Sequence, residues 1–293
     1  MKLRLNLLLT ILFFLSLAGG AFGQTSKPLD IQIKRSQVLL NGKFYLSNGA
    51  ETSPTLLILH GMPGNEKDVL GIGTRMSQMG FNVLAFNYSG THGSQGKWSY
   101  DNVQKDISAA YKYLHEPDNI RRFKIDTSRI AIGGWSFGGG MALVYGSKHP
   151  EARVVFAIAG SDSGEFMRQY SRSKRFASSI DHMFDTWKYP SGPIRFGQGT
   201  TPREITSDKI KELEGNYDLR LIAPQLIDKH VLLIGGWNDQ NVTIEDHVLP
   251  LYRSLKKAKA KQVRIVALQD NHVFGKTRDA LAETLSEWLN ESF

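Results

Sequence analysis

Ser128-Arg129-Ile130-Ala131-Ile132-Gly133-Gly134-Trp135-Ser136-Phe137-Gly138-Gly139-Gly140-Met141-Ala142-Leu143 is the stretch from which the rest of the chain can be read. It opens as a β-branched apolar run, Ile130 to Ile132. It passes through Gly134-Trp135-Ser136-Phe137-Gly138 and leaves as a helix-compatible stretch, Met141 to Tyr145. G-x-S-x-G is common by itself; between a strand and a helix it describes a sharp turn that lifts a serine out of the backbone. A serine hydroxyl is a poor nucleophile unless it is held beside a base. The turn forces strained dihedrals on Ser136 and crowds the neighbouring backbone, so positions 134 and 138 need glycine. The following helix points its free N–H groups and positive dipole end at the serine, and the Phe137 N–H becomes one donor for an oxyanion.

Outward from this turn, apolar runs alternate with helical spacing. Leu29 to Lys34 and Gln37 to Tyr45 read as strands, with Asn41-Gly42 as a possible turn inside the second. Thr55 to Leu59, Phe81 to Asn87, Val154 to Ala159, Val231 to Ile234 and Gln262 to Leu268 follow as strands. Lys67 to Met79, Tyr100 to Leu114, Ile244 to Lys257 and Arg278 to Asn290 read as helices. Strands alternating with helices predict a mostly parallel sheet, an α/β fold with helices on both faces. Residues 163–224 break the pattern. They are rich in Ser, Arg, aromatics, Pro and Gly, with one expected helix over Glu204 to Leu213, and the stretch is too long for a plain connection. It reads as a lid inserted over the site. Phe166, Met167, Tyr170, Phe184 and Trp187 are available for a pocket wall or for packing the lid to the body.

Parallel strands end on one sheet edge, so residues just past them converge. His60-Gly61-Met62-Pro63-Gly64 follows one strand, and the Met62 N–H is the second oxyanion donor. Asp239 stands in the glycine turn after another. His272 follows the last. In these roles His272 takes the Ser136 proton and returns it to the leaving group, and Asp239 holds the imidazole tautomer. Asp162, also at a strand end, and Asp246, inside an expected helix, are the rival acids. His230 precedes its strand and His247 falls in a helix. His60 reads as a structural brace and His92 as a loop residue in the polar stretch Tyr88 to Gly96.

Composition bounds the rest. The 293 residues are 41% hydrophobic and 22% charged, enough for one large core. The chain has no cysteine, which excludes disulfides, thiolate metal sites and a Cys nucleophile. Residues 1–23 read as a secretory signal peptide, with basic Lys2 and Arg4, an apolar run Leu5 to Leu17, and Ala21 and Gly23 before a mature start near Gln24. The folded domain is then expected to span 24–293, in the periplasm or outside a bacterial cell. No stable membrane span is expected once the leader is cleaved. The net charge of +8 is scattered, and no nucleic-acid-binding motif accompanies it.

The chain resembles the α/β-hydrolases of the prolyl-oligopeptidase-like (peptidase S9-like) group. The resembling pieces are Leu59-His60-Gly61, Asn87-Tyr88-Ser89-Gly90 with Gly93 and Gly96, Asp126-Thr127-Ser128-Arg129-Ile130, Gly134-Trp135-Ser136-Phe137-Gly138-Gly139, Gly236-Trp237-Asn238-Asp239 and Asp270-Asn271-His272-Val273-Phe274. The order Ser, Asp, His is that of the superfamily. Peptidases of the group carry an N-terminal β-propeller, for which the residues ahead of Thr55 leave little room. That turns the expectation towards the small esterases: an exported serine esterase working through an acyl-enzyme on a small-molecule ester, with no metal or organic cofactor. An amide- or peptide-cleaving enzyme and a catalytically inactive binding protein are the alternatives. Substrate groups and oligomeric state stay open.

Overall fold

Apolar runs too short for helices become the strands of one sheet. The computed structural model describes residues 27–49, 51–205 and 207–293, so the leader predicted at 1–23 lies outside the described residues. The strands are β1 (Leu29–Arg35), β2 (Val38–Tyr45), β3 (Ser53–Leu59), β4 (Asn82–Phe86), β5 (Ile125–Trp135), β6 (Val154–Ile158), β7 (His230–Gly236) and β8 (Gln262–Leu268). Their order in the sheet is β1-β2-β4-β3-β5-β6-β7-β8. β1 and β2 pair antiparallel, as do β2 and β4, and every other pair is parallel.

The helices are α1 (Ile72–Gln78), α2 (Tyr100–Leu114), α3 (Pro117–Phe123), α4 (Phe137–Lys148), α5 (Ser163–Arg172), α6 (Lys174–Trp187), α7 (Ser207–Tyr217), α8 (Leu249–Lys257) and α9 (Arg278–Ser292). Strand side chains alternate between faces, so each buried strand feeds two cores. Leu57, Ile132, Val155 and Leu233 pack with α2, α4 and α8 on one face. Leu56, Ile58, Phe156 and Ile234 pack with α1 and α9 on the other. The sheet is therefore covered on both faces, the α/β-hydrolase arrangement. Among the described residues no helix is long and apolar enough to cross a membrane.

Four local readings change. Asn41-Gly42 is not a turn: Gly42 lies mid-strand, where a Cβ would come within 2.8 Å of the Ala85 carbonyl oxygen. The β1–β2 turn is Ser36-Gln37, with Ser36 at φ 52°. The helix expected over Lys67 to Met79 begins only at Ile72, because Asp68 and Leu70 take positive φ and the Asp68 carboxylate binds Thr74 instead. Ile244 to Lys257 is divided: a π-turn, Ile244–Val248, precedes α8, whose Pro250 has no N–H to give to the turn before it. Among the described residues, 163–224 hold three α-helices rather than one. Asp162 caps α5 by accepting from the Glu165 N–H, and Ser173 caps α6 by accepting from the Phe176 N–H.

Candidate active site

β5 delivers Ser136 into a conformation few residues adopt, φ 56° and ψ −124°. The crowding is real. A Cβ at Gly134 would stand 2.5 Å from the Leu59 carbonyl oxygen, and one at Gly138 2.4 Å from the same atom. Glycine at both positions lets β3 and α4 close on the turn. The Ser136 N–H donates to Ile158 O at 2.9 Å, and its carbonyl accepts from Ser161 N–H at 2.9 Å, which fixes the strained residue to the end of β6.

The loops after β7 and β8 bring the other two residues. His272 Nε2 lies 3.0 Å from Ser136 Oγ, and His272 Nδ1 donates to Asp239 Oδ2 at 2.7 Å. The Asp239 carboxylate is buried, and its Oδ1 accepts from the N–H groups of Asn241 and Val242 at 2.8 and 2.9 Å. Those bonds leave Oδ2 for the imidazole alone. The His272 loop is braced twice. Its carbonyl accepts from Trp135 Nε1–H at 2.8 Å. Asp270 Oδ2 accepts from the N–H groups of Lys276 and Thr277. Burial would raise the Asp270 carboxyl, but these donors and the Asn271 N–H outweigh it and hold the group below its usual value.

Met62 and Phe137 line the same cavity as Ser136 and His272. Phe137 is the first residue of α4, so its N–H lies outside the helical ladder. The Met62 segment runs directly against the serine: a Cβ on Gly61 would meet Ser136 Cβ at 3.0 Å. His60 supports this turn. Its Nδ1–H donates to Gly61 O at 2.7 Å, its carbonyl accepts from Tyr88 Oη–H at 2.8 Å, and complete burial drives its pKa down to about 3. It is a neutral brace. His92 Nε2–H donates to Pro63 O at 2.6 Å and steadies the same loop from outside.

The rivals make no hydrogen bond to Ser136 or His272, although Asp246 and His247 line the same cavity. Asp246 is exposed on the π-turn, bonded to Thr243. His230 begins β7 at the opposite sheet edge. Asp162 is buried with its N–H donating to His247 Nδ1 at 3.2 Å, and its carboxyl meets neither His272 nor Ser136. Burial, and then the Asp218 charge, push that carboxyl up to about 7. The polar loop Tyr88 to Gly96 does not wall the cavity. Ser89 is tied to Asp106, Ser94 Oγ–H donates to Asn87 O, and only Trp98 and Tyr100 beyond it reach the cavity.

The cavity above Ser136 measures about 460 Å³. Of the aromatic residues noted at 163–224, Phe166, Phe184 and Trp187 line it. Met167 is buried beneath α5, and Tyr170 ties α5 to α6 through Asp181. Phe176, Ile180 and Met183 complete the α6 wall, and His247 enters from the π-turn. Those four were not foreseen, although the 176, 180, 183, 184, 187 spacing is one face of a helix. Among the described residues no group of three or more His, Asp or Glu stands where it would hold a metal ion.

The profile of the prolyl oligopeptidase family (Peptidase_S9) matches residues 73–293. The chain belongs to that family. Cutinase est2 of Thermobifida alba is 27% identical over 118 residues, 40% of this chain and 38% of that protein. The chain thus spans about two fifths of the length of the curated relatives it matches. Among solved structures, an esterase of Pyrococcus furiosus superposes with a TM-score of 0.67 at 20% identity, covering 91% of each chain. The acylaminoacyl peptidase of Pyrococcus horikoshii superposes with 0.64 at 16% identity, covering 92% of this chain and 42% of that one. At such identities the likeness is one of fold, and the site must argue the chemistry.

Proposed function

We propose that this member of the prolyl oligopeptidase family is an exported serine hydrolase that cleaves carboxylic esters through an acyl-enzyme. One observation carries the reading: Ser136 Oγ, His272 and Asp239 form a continuous hydrogen-bonded line at the floor of an open, mainly apolar cavity. His272 Nε2 takes the Ser136 proton as Oγ attacks the ester carbonyl. The tetrahedral oxyanion is bound by the N–H groups of Met62 and Phe137. His272 then protonates the leaving alcohol, and a water molecule repeats the cycle on the acyl-enzyme. Asp239 keeps the Nδ1–H tautomer and stabilises the imidazolium. The helical segment 163–224 acts as a lid whose α6 face receives the apolar part of the substrate.

The esterase and cutinase names of similar proteins favour esters, and the family's peptidases favour amides. Fluorophosphonate labelling tests the mechanism. The wild type is expected to label and Ser136→Ala to stay unlabelled; labelling of both, or of neither, would remove the activated serine. A panel of p-nitrophenyl esters against aminoacyl p-nitroanilides then separates esterase from peptidase.

A further inference from the structure

We propose that His247 is a substrate-reading hydrogen-bond donor, and that the cavity takes a mainly apolar group bearing one acceptor oxygen. This deepens the ester-cleaving reading and rests on it. The imidazole of His247 is held by one contact: the Asp162 backbone N–H, 3.2 Å from Nδ1. A backbone N–H can only donate, so Nδ1 accepts, and in the neutral ring the proton sits on Nε2. Burial keeps the ring neutral by lowering its pKa. The residue is only 4% exposed, Nε2 is bonded to no acceptor among the described residues, and the small part of the ring that stays open faces the cavity. In the free protein solvent can pair with this N–H, and a bound group that displaces the solvent must supply an acceptor in its place.

That partner enters through the cavity His247 shares with Ser136. The two residues are linked by a short path. Ser161 N–H donates to Ser136 O, and Asp162, the next residue, holds His247. The donor is therefore held in fixed relation to the nucleophile, in the cavity that a bound acyl group would fill. Across it, α6 contributes Ile180, Met183 and Phe184, whose side chains have no strong acceptor, and the polar lining residues Gln169, Thr243 and Asp246 are bonded elsewhere rather than to Nε2. A purely hydrocarbon acyl group would fill this space and leave Nε2–H dry and unpaired. An aryl or alkyl group carrying an ether, carbonyl or phenol oxygen would satisfy it. Sites that bury a donor discriminate against ligands lacking the acceptor more sharply than apolar pockets discriminate by size.

The test uses the mature full-length protein and four p-nitrophenyl esters: 3-phenylpropionate and its ring 2-, 3- and 4-methoxy derivatives. The wild type is expected to favour one methoxy isomer over the parent in kcat/KM by about 2- to 12-fold, the value of a neutral hydrogen bond. His247→Met removes the donor and keeps the bulk; it should bring that ratio to about one. His247→Gln, whose amide can accept from Asp162 and donate to substrate, should keep part of the preference. Equal rates for all four esters in the wild type, or an unchanged preference in a folded His247→Met, would overturn the inference. The free carboxylic acids are also titrated against Ser136→Ala. A methoxy preference in Kd with no ester turnover would uphold the role of His247 and sink only the ester reading. No preference in either measurement would overturn it.

Discussion

Ser136 holds a strained backbone conformation, φ 56° and ψ −124°, and three neighbouring contacts explain why it persists. Its N–H and C=O are both bonded to the β6 end, and two glycines admit the Leu59 carbonyl. The acid partner is decided at the same scale. Asp239 has one carboxylate oxygen saturated by backbone and the other on His272, whereas the second oxygen of Asp162 meets no hydrogen-bond donor. Asp239→Asn should lower kcat about 10⁴-fold by disfavouring the needed tautomer. Asp162→Asn should keep turnover within a few-fold and change stability instead. The folded-state pKa of Asp162, about 7, lies above its ordinary 3.8, so the native chain holds that proton more tightly than the unfolded chain. The resulting contribution is full below about pH 4 and is lost as the pH rises to about 7. Denaturation of the wild type should show this decline; Asp162→Asn, still a competent helix cap, should flatten it. A steeper loss of activity in Asp162→Asn than in Asp239→Asn would reverse the assignment.

At the level of elements, α6 is a helix whose meaning comes from what lies under it. Phe176, Ile180, Met183, Phe184 and Trp187 repeat at helical spacing, yet only Ile180 among the α6 residues is fully buried. Phe176, Met183 and Phe184 face the cavity, and Trp187 both lines it and packs against the main core. Phe184 stacks on Phe196 at 5.3 Å and lies 5.1 Å from Trp187, so the wall is assembled before any ligand arrives. Phe184→Ala should lower kcat/KM for a hexanoate or phenylpropionate ester about tenfold, the equivalent of partly exposing one aromatic ring, while leaving an acetate ester nearly unchanged. Equal losses on short and long esters would show that the wall does not hold the acyl group. The contrast with α4 is instructive. Nearly every α4 residue is buried, because that helix is wedged between the sheet and α2 and α7.

For the molecule as a whole, the sheet places Met62, Ser136, Asp239 and His272 on one edge, because β3, β5, β7 and β8 run parallel and end together. Open α/β sheets concentrate their chemistry at that edge. The proposed export belongs to this scale too. The basic and apolar pattern of residues 1–23 predicts that protein recovered from the envelope or medium begins near Gln24 by N-terminal sequencing; an intact Met1 on exported protein would refute cleavage. The net charge would then fall from +8 to +6, as Lys2 and Arg4 leave with the leader.

The sheet, the strained serine and the order Ser136, Asp239, His272 were legible in the sequence, because each is local. A buried parallel strand is a continuous apolar run, and a sharp turn demands glycine where backbones meet. The π-turn at Ile244, the two helices at 163–187 and the place of His247 were not legible. They depend on which residues meet across the fold: the Asp162 N–H, the underside of α6 and the β7 loop are far apart in sequence and adjacent only after packing. The residue types at the turn therefore determined what this chain can attack with. The tertiary structure decided what shape and polarity of group its cavity accepts, since those are set by contacts between distant segments.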